Sequence, residues 1–247
     1  MDRGILGILF LPVDFILNRA LKIFFSRKTT LYINAVDVYQ RYSTIAQFIN
    51  DDDKKILEVG GANTAIYEFL KHAYNLTIID TDVDYKPPSN VTYILKSANK
   101  VNYTDNHFDC VISIAMLEHI PKSQRQQAIY EWKRVGKKIL LYVPFGIYGE
   151  KYDKLFFKLK KLIGMHDKWT EEHIMYSLPT LDDLNTYFPH AKITFIQNGN
   201  VWLVTTFLSS LPVIGRVFPG VVYFLLKHWD KKEPFIGCIV CWEKSMV

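Results

Sequence analysis

The chain has 247 residues, 49% of them hydrophobic, with 30 Lys and Arg against 25 Asp and Glu for a net charge of +5. No Gly/Ser-rich linker, internal repeat or low-complexity stretch divides it, so one main domain with a sizeable core and additions is expected, not a repeat array. Its three cysteines do not make a disulfide framework and suit a reducing compartment, so no disulfide-linked partner is expected.

The amino end is apolar from Ile5 to Phe25, but Pro12, Asp14, Asn18, Arg19 and Lys22 interrupt the run of about twenty apolar residues that a spanning helix needs. On a helix after Pro12, Asp14, Asn18 and Lys22 make one polar ridge, with Val13, Ile16, Leu17, Ala20, Leu21 and Phe24 on the opposite face. Such a helix lies in a membrane interface or packs on the domain. A cleaved signal peptide is not expected, because no small-residue cleavage site follows.

The pattern then predicts a helix over 32–49, a strand at 56–59, a helix over 64–72 and a strand at 76–80. After the Pro87-Pro88 turn come strands at 91–95 and 110–114, a helix over 123–135 and a strand at 138–143. Strands alternating with helices imply an α/β fold with a mainly parallel, doubly wound sheet. Lys151, Lys154, Lys158 and Lys161 recur at helical spacing among Leu155, Phe156, Leu159 and Leu162, a basic amphipathic helix. Two apolar stretches, 201–211 and 213–226, surround Pro212 and Pro219, and 192–197 and 235–242 read as the last strands. In the final run Cys238 and Cys241 point to opposite faces, so core strand is the reading and no metal site is implied.

Chemistry concentrates where the first strand ends. Ile56-Leu57-Glu58-Val59 runs into Gly60-Gly61-Ala62, and a glycine turn at a strand's carboxyl end lets backbone and ligand approach closely. About twenty residues on, Leu76-Thr77-Ile78-Ile79-Asp80 ends a second strand in a carboxylate that can accept hydrogen bonds from ribose hydroxyls. A nucleoside ligand is therefore expected. Asp109 reads as structural, fixing the start of the fourth strand.

Phe108-Asp109-Cys110-Val111 through Leu117-Glu118-His119-Ile120-Pro121, followed by Leu140-Leu141-Tyr142-Val143-Pro144, resembles the class I S-adenosylmethionine-dependent methyltransferases of the type 11-like group, which carry an "FDxV…LEHIP" signature. The resemblance covers about residues 54–146, and 171–184 more weakly. It implies a Rossmann-like, doubly wound, mainly parallel seven-stranded sheet with an antiparallel edge, to which the residue pattern adds the N-terminal amphipathic helix and apolar helical insertions. It also implies a cytoplasmic enzyme using S-adenosyl-L-methionine. Glu58, Gly60 and Gly61 would hold the methionine part with Ala62 small enough to preserve the close approach, Asp80 the ribose, and Ser97 before Ala98 the adenine side with Asn99 as an alternative, while Ala115, Met116 and Leu117 would lie along the cofactor. The family's E/D-x-G-x-G-x-G becomes Glu58-x-Gly60-x-Ala62-x-Thr64 here, with only the first glycine in register and Thr64 available as a helix cap.

Outside the resemblance, the amphipathic pattern makes residues 1–30 a membrane-proximal segment. Residues 31–247 form the methyltransferase domain, with 147–190 and 198–234 as substrate-side or membrane-facing insertions. Methyl transfer to a hydroxyl of a small-molecule, glycan or lipid-linked substrate is the leading expectation, with His119, His166 and His173 as candidate bases and Asp167, Glu171 and Glu172 as their candidate partners. No metal is expected. The net charge and the apolar segments favour peripheral contact with the cytoplasmic face of an anionic membrane, unless those segments cover one another as an ordinary cap. Nucleic acid is a weaker account, because Trp and Phe sit in apolar runs and not among arginines. The alternative is a non-catalytic, membrane-associated binding protein that keeps the fold, motivated by Ala62, Thr64 and Ser97.

Overall fold

The computed structural model describes residues 11–62 and 64–244. The expected apolar run at 5–10 therefore lies outside the described residues.

Seven strands, β1 (Lys55–Val59), β2 (Asn75–Asp80), β3 (Val91–Leu95), β4 (Phe108–Ile114), β5 (Gly136–Pro144), β6 (Lys192–Asn198) and β7 (Phe235–Glu243), form one sheet in the order β3-β2-β1-β4-β5-β7-β6. The first five are parallel in register, with Glu58 opposite Ile78 on one side and Ile112 on the other, and the sheet has one antiparallel edge. Interior strands read as near-continuous apolar runs because both faces are covered, and Ile56, Leu57, Val111, Ile112, Ile139, Leu140 and Leu141 are all fully buried. Strand order reverses between β1 and β4, the place where an open α/β sheet splays its loops apart.

Asp109 has the structural role expected of it. Its carboxylate accepts from the backbone N–H of Lys54 and Lys55 at 3.1 and 2.9 Å and from Lys137 Nζ at 2.7 Å. Burial alone raises this carboxyl, and the Lys137 ammonium with the two backbone donors more than reverses that, leaving it below the usual carboxylate range. Cys238 and Cys241 both lie in β7, the first buried and the second half-buried.

The chain divides into two compact units. One comprises Ser43–Pro144, Pro179–Thr194 and Cys238 onward, and the other comprises residues up to Tyr42, Phe145–Leu178 and Phe195–Gly237. In the first unit the helix after β4, α4 (Lys122–Val135), buries Arg125, Ala128, Ile129, Trp132 and Val135, a single face at helical spacing. Lys138 in β5 is buried and paired with buried Asp53, and its ammonium also donates to Phe48 O at 3.1 Å. A short helix α7 (Leu181–Tyr187) opens on a capping box of Thr180 and Asp183.

The second unit is helical. It holds α1 (Leu11–Phe24), α2 (Arg27–Asn34), α5 (Gly146–Leu162), α6 (Lys168–Tyr176), α8 (Gly199–Ser210) and α9 (Phe218–Leu226), with α3 (Val36–Ile45) beginning in it. The helix expected over 32–49 starts earlier and breaks. Ser26 caps its first turn by accepting from Thr29 N at 3.2 Å, and Ala35 leaves helical geometry at φ −141°, so α2 ends and α3 buries Val36. α5 shows Lys151, Lys154, Lys158 and Lys161 exposed as expected, while Lys160 is buried and ion-paired with Asp167 at 2.7 Å.

The helix expected over 64–72 is absent. Only a 3-10 turn, Ile66–Glu68, forms there, and Thr64 Oγ1 accepts from Ile66 N at 3.1 Å, a local turn bond in place of a cap on a long helix. Nine residues rich in Thr, Ile, Tyr and Phe make a weak helix, and burying Ala65, Ile66 and Phe69 decides the conformation instead.

Candidate functional site

The carboxyl ends of β1, β2 and β4 bring together most of the residues singled out in the sequence. Glu58 is the penultimate residue of β1 and is buried, its backbone flanked by β2 and β4. The chain then turns through Gly60 at φ +77°, a conformation that only glycine adopts freely, and Gly60 N donates to Ile79 O at 2.8 Å. A Cβ on Gly60 would collide with Met116, and one on Gly61 would sit 2.8 Å from Glu58 Cδ. Both glycines are therefore required by the packing of Met116 and Glu58 against the turn.

Asp80 closes the turn from the side. Its Oδ2 accepts from Ala62 N at 2.8 Å and its Oδ1 from Thr81 N and Asp82 N at 2.6 and 3.1 Å. A carboxylate offers about four acceptor positions, so these three bonds leave Oδ2 with capacity for one more donor, such as a ribose hydroxyl. After β3, the exposed Ser97 Oγ donates to Asn99 Oδ1 at 2.9 Å, and Ala98 O accepts from Trp132 Nε1 at 2.9 Å. The second bond ties the backbone of this loop to Trp132, and the first leaves the Ser97 oxygen its lone pairs.

The loop after β4 is held under tension. Ala115 sits at φ +52°, uncommon for a residue with a side chain, and leads through half-buried Met116 into a 3-10 turn, Leu117–His119. Buried Leu117 and Glu118 anchor that turn while His119 is half-buried. Arg125, fully buried on α4, donates from Nε to Ile120 O at 2.9 Å and from Nη2 to Glu118 O at 3.3 Å. Burial lowers the Arg125 pKa, opposed by the nearby Tyr187, Glu118 and Asp183. Arg125 was not singled out by motif, although its spacing to Ala128, Ile129 and Trp132 places it on the inward face of α4.

His166 and His173 belong to the helical unit. His166 is exposed and pairs with Glu171 at 2.9 Å, one of the acids expected beside it. His173 on α6 takes a different partner: its Nδ1 lies 2.9 Å from Oδ2 of buried Asp153 on α5, which fixes the ring's orientation. Asp167 instead caps α6, accepting from Thr170 N at 3.2 Å. The pair opens on a small groove lined by Glu150, Lys154, Ser177 and Leu178.

Residues 57–139 match the family model described as "Methyltransferase domain". Over that stretch the chain is similar to class I methyltransferases. Its fold is the Rossmann-like one of that class. A solved structure of the YcgJ protein from Bacillus subtilis shares 12% identity with the chain, covering 84% of it and 100% of that protein, with a TM-score of 0.53. A chain from the complex of the Haloferax volcanii Trm112 methyltransferase activator with a methyltransferase matches at 6% identity, covering 100% and 99%, with a TM-score of 0.52. The [4+2]-cyclase SpnF matches at 14%, covering 85% and 82%, with a TM-score of 0.51. At such identities the likeness is one of fold, and a cyclase among the methyltransferases shows that the fold alone does not set the reaction. A search of curated protein sequences found no match.

The site fits the donor that this likeness implies at one point: beside the glycine turn the Asp80 carboxylate retains an acceptor position. Among the described residues no helix is long and apolar enough to cross a membrane.

Proposed function

We propose that the protein transfers a methyl group from S-adenosylmethionine to a hydroxyl of a lipid-linked, glycan or other membrane-proximal small molecule, working peripherally on the cytoplasmic membrane face. The observation that carries this reading is the bond from Ala62 N to Asp80 Oδ2, which sets the glycine turn against the carboxylate suited to a ribose. Bound there, the donor supplies an electrophilic sulfonium methyl group. Glu58, Gly60, Gly61 and Ala62 hold its methionine part, Asp80 its ribose, and Ser97 and Ala98 its adenine side. Ala115, Met116 and Leu117 flank it, on a loop that Arg125 keeps in place. Catalysis by such a site comes mainly from alignment of the reacting atoms.

A hydroxyl acceptor also gives up a proton, and a histidine takes it near neutral pH. Of the three candidates, His119 lies on the loop next to the cradle and His173 has its ring oriented by Asp153, whereas His166 has the setting of a surface ion pair. Titration calorimetry with S-adenosylhomocysteine tests the donor site. Saturable binding is expected, weakened about tenfold or more in Asp80→Ala, since a hydrogen bond to a charged group contributes about 1.5–3 kcal/mol. No heat of binding from protein verified as folded would sink the donor assignment.

A second reading, a non-catalytic membrane-associated binding protein, draws support from the same turn. Gly60 and Gly61 are already accounted for by Met116 and Glu58, and a 3-10 turn stands where a donor-binding helix would start. Tight S-adenosylhomocysteine binding that disappears in Asp80→Ala removes this reading.

A further inference from the structure

The first described helix packs through Asp14, Leu17, Asn18 and Leu21 and leaves its largest apolar side chains outside. On α1 the one carboxylate, Asp14, is buried, and the apolar side chains Phe15, Ile16, Ile23 and Phe24 are 62, 64, 66 and 76% exposed. A surface helix of a soluble domain does the reverse, placing its apolar stripe on the core. This orientation is held by a two-pronged ion pair: Arg216 Nε and Nη2 donate to Asp14 Oδ1 and Oδ2, each at 2.8 Å, and Val213 N donates to Oδ1 at 3.1 Å. Arg216 belongs to the 3-10 turn Ile214–Arg216, against which α1, α2, α8 and α9 pack.

α9 repeats the arrangement. Its buried side is Pro219 and Gly220, where a Cβ would lie 2.5 Å from Tyr32 O, so the helix backbone presses directly on α2. The residues left outside are Phe218, Val221, Phe224 and Leu225, each more than half exposed. At about 1.5 Å per residue α1 and α9 are about 21 and 14 Å long, too short to span a bilayer core of about 30 Å.

The charge on these segments specifies the occupant. Residues 11–28 and 211–232 carry eight Lys and Arg against two acids, Asp14 and Asp230. Both acids are engaged internally, Asp14 by Arg216 and Asp230 by Gln40 and Asn198. Arg19, Lys22, Lys227, Lys231 and Lys232 are exposed beside the apolar side chains, and Lys227 Nζ lies 4.3 Å from the Phe224 ring. Apolar side chains edged by lysines and arginines, with exposed Trp229 among them, match the layering of a lipid interface: acyl chains first, anionic headgroups around them.

We infer that the outward faces of α1 and α9 are a docking surface for an anionic lipid bilayer, entered in the plane of the interface and held open in solution by the Asp14–Arg216 clamp. This deepens the proposed function, resting on it only in placing the acceptor at the same surface. Neither the clamp nor the docking involves the methyl donor.

The full chain is floated through a density gradient with vesicles of phosphatidylcholine, or of phosphatidylcholine mixed with phosphatidylserine. The expected result is flotation with the mixed vesicles, reduced by salt and by omission of phosphatidylserine. Phe24→Glu and Phe224→Glu each weaken it about tenfold or more, because each removes a large apolar side chain from the interface. Their unchanged thermal unfolding shows that the fold is intact, both positions being exposed in solution. Protein that stays at the bottom with both vesicle types overturns the inference, as does undiminished flotation of the two Glu variants. Light scattering that shows a dimer abolished by Phe24→Glu, without flotation, assigns the face to a second copy and also overturns it. A chain lacking residues 1–10 that floats where the full chain does not shows the face covered by its own amino end, which overturns the inference as well. S-adenosylhomocysteine titration without lipid is scored separately, so protein that floats but binds no cofactor keeps the docking surface and loses the methyl-transfer reading.

Discussion

At Gly60 two requirements meet in one residue: a backbone at φ +77° and a side-chain position already taken by Met116. Gly60→Ala is expected to cost about 1–3 kcal/mol for the backbone conformation alone, with the collision added to it. Met116→Ala in the same chain removes the close approach of Cγ while its Cβ stays 2.8 Å from the new methyl group, so the collision is relieved only in part; urea unfolding of both single variants and the double variant should show recovery of a fraction of the loss. Additivity of the two single effects would show that Met116 does not pack on the turn. The sequence placed Glu58, Gly60 and Asp80 at strand ends from apolar runs and a glycine pair, which are local signals. It did not reveal that Met116, more than fifty residues away, packs against Gly60, because that contact depends on the adjacency of β1 and β4. Asp153 escaped for a similar reason: an acid on the buried side of α5 breaks the amphipathic pattern, and only its contact with His173 explains it.

Among the elements, α4 and the loop before it form one device. Arg125 donates to the carbonyls of Glu118 and Ile120, and its side chain has no exposure to water. Arg125→Met leaves a buried and a part-buried carbonyl acceptor short of donors, expected to cost about 3 kcal/mol in urea unfolding, whereas Arg125→Lys, keeping a charge and a donor, recovers part of it. Hydrogen exchange separates positioning from general stability: the amides of His119 and Ile120, bonded to Met116 O and Leu117 O, should lose protection ahead of those in β4. Uniform loss across the sheet would make Arg125 an ordinary core residue. Elements of strong period were legible, including all seven strands and α4 to within two residues at most ends. The 64–72 segment misled because its apolar spacing suits a helix while its composition and tertiary burial favour a turn. α1 was legible as amphipathic, but amphipathicity does not say which face meets the protein, and that was decided by Arg216, some two hundred residues on.

On the scale of the whole molecule, chain order and spatial order diverge. Each compact unit draws on three separate stretches, and the two strands latest in the sequence, β6 and β7, lie together beyond β5. β7 pairs next to β5, whose Ile139, Leu140 and Leu141 are fully buried, so removing the last stretches bares a long apolar strand at an open edge. A chain ended at Leu178 is therefore expected to show no cooperative thermal transition and a flat near-ultraviolet circular dichroism spectrum. A chain begun at Ser26 keeps every strand and loses α1 with the Asp14–Arg216 pair. That pair is part-exposed on the arginine side, so its loss costs about 1–2 kcal/mol after allowance for solvent screening, and each kcal/mol lowers the Tm of a domain this size by about 2–4 °C. The cooperative transition should survive that deletion. A sharp melt from the chain ended at Leu178 would contradict the argument, because it would mean that β1 to β5 hold a stable sheet without the strand that covers their last edge.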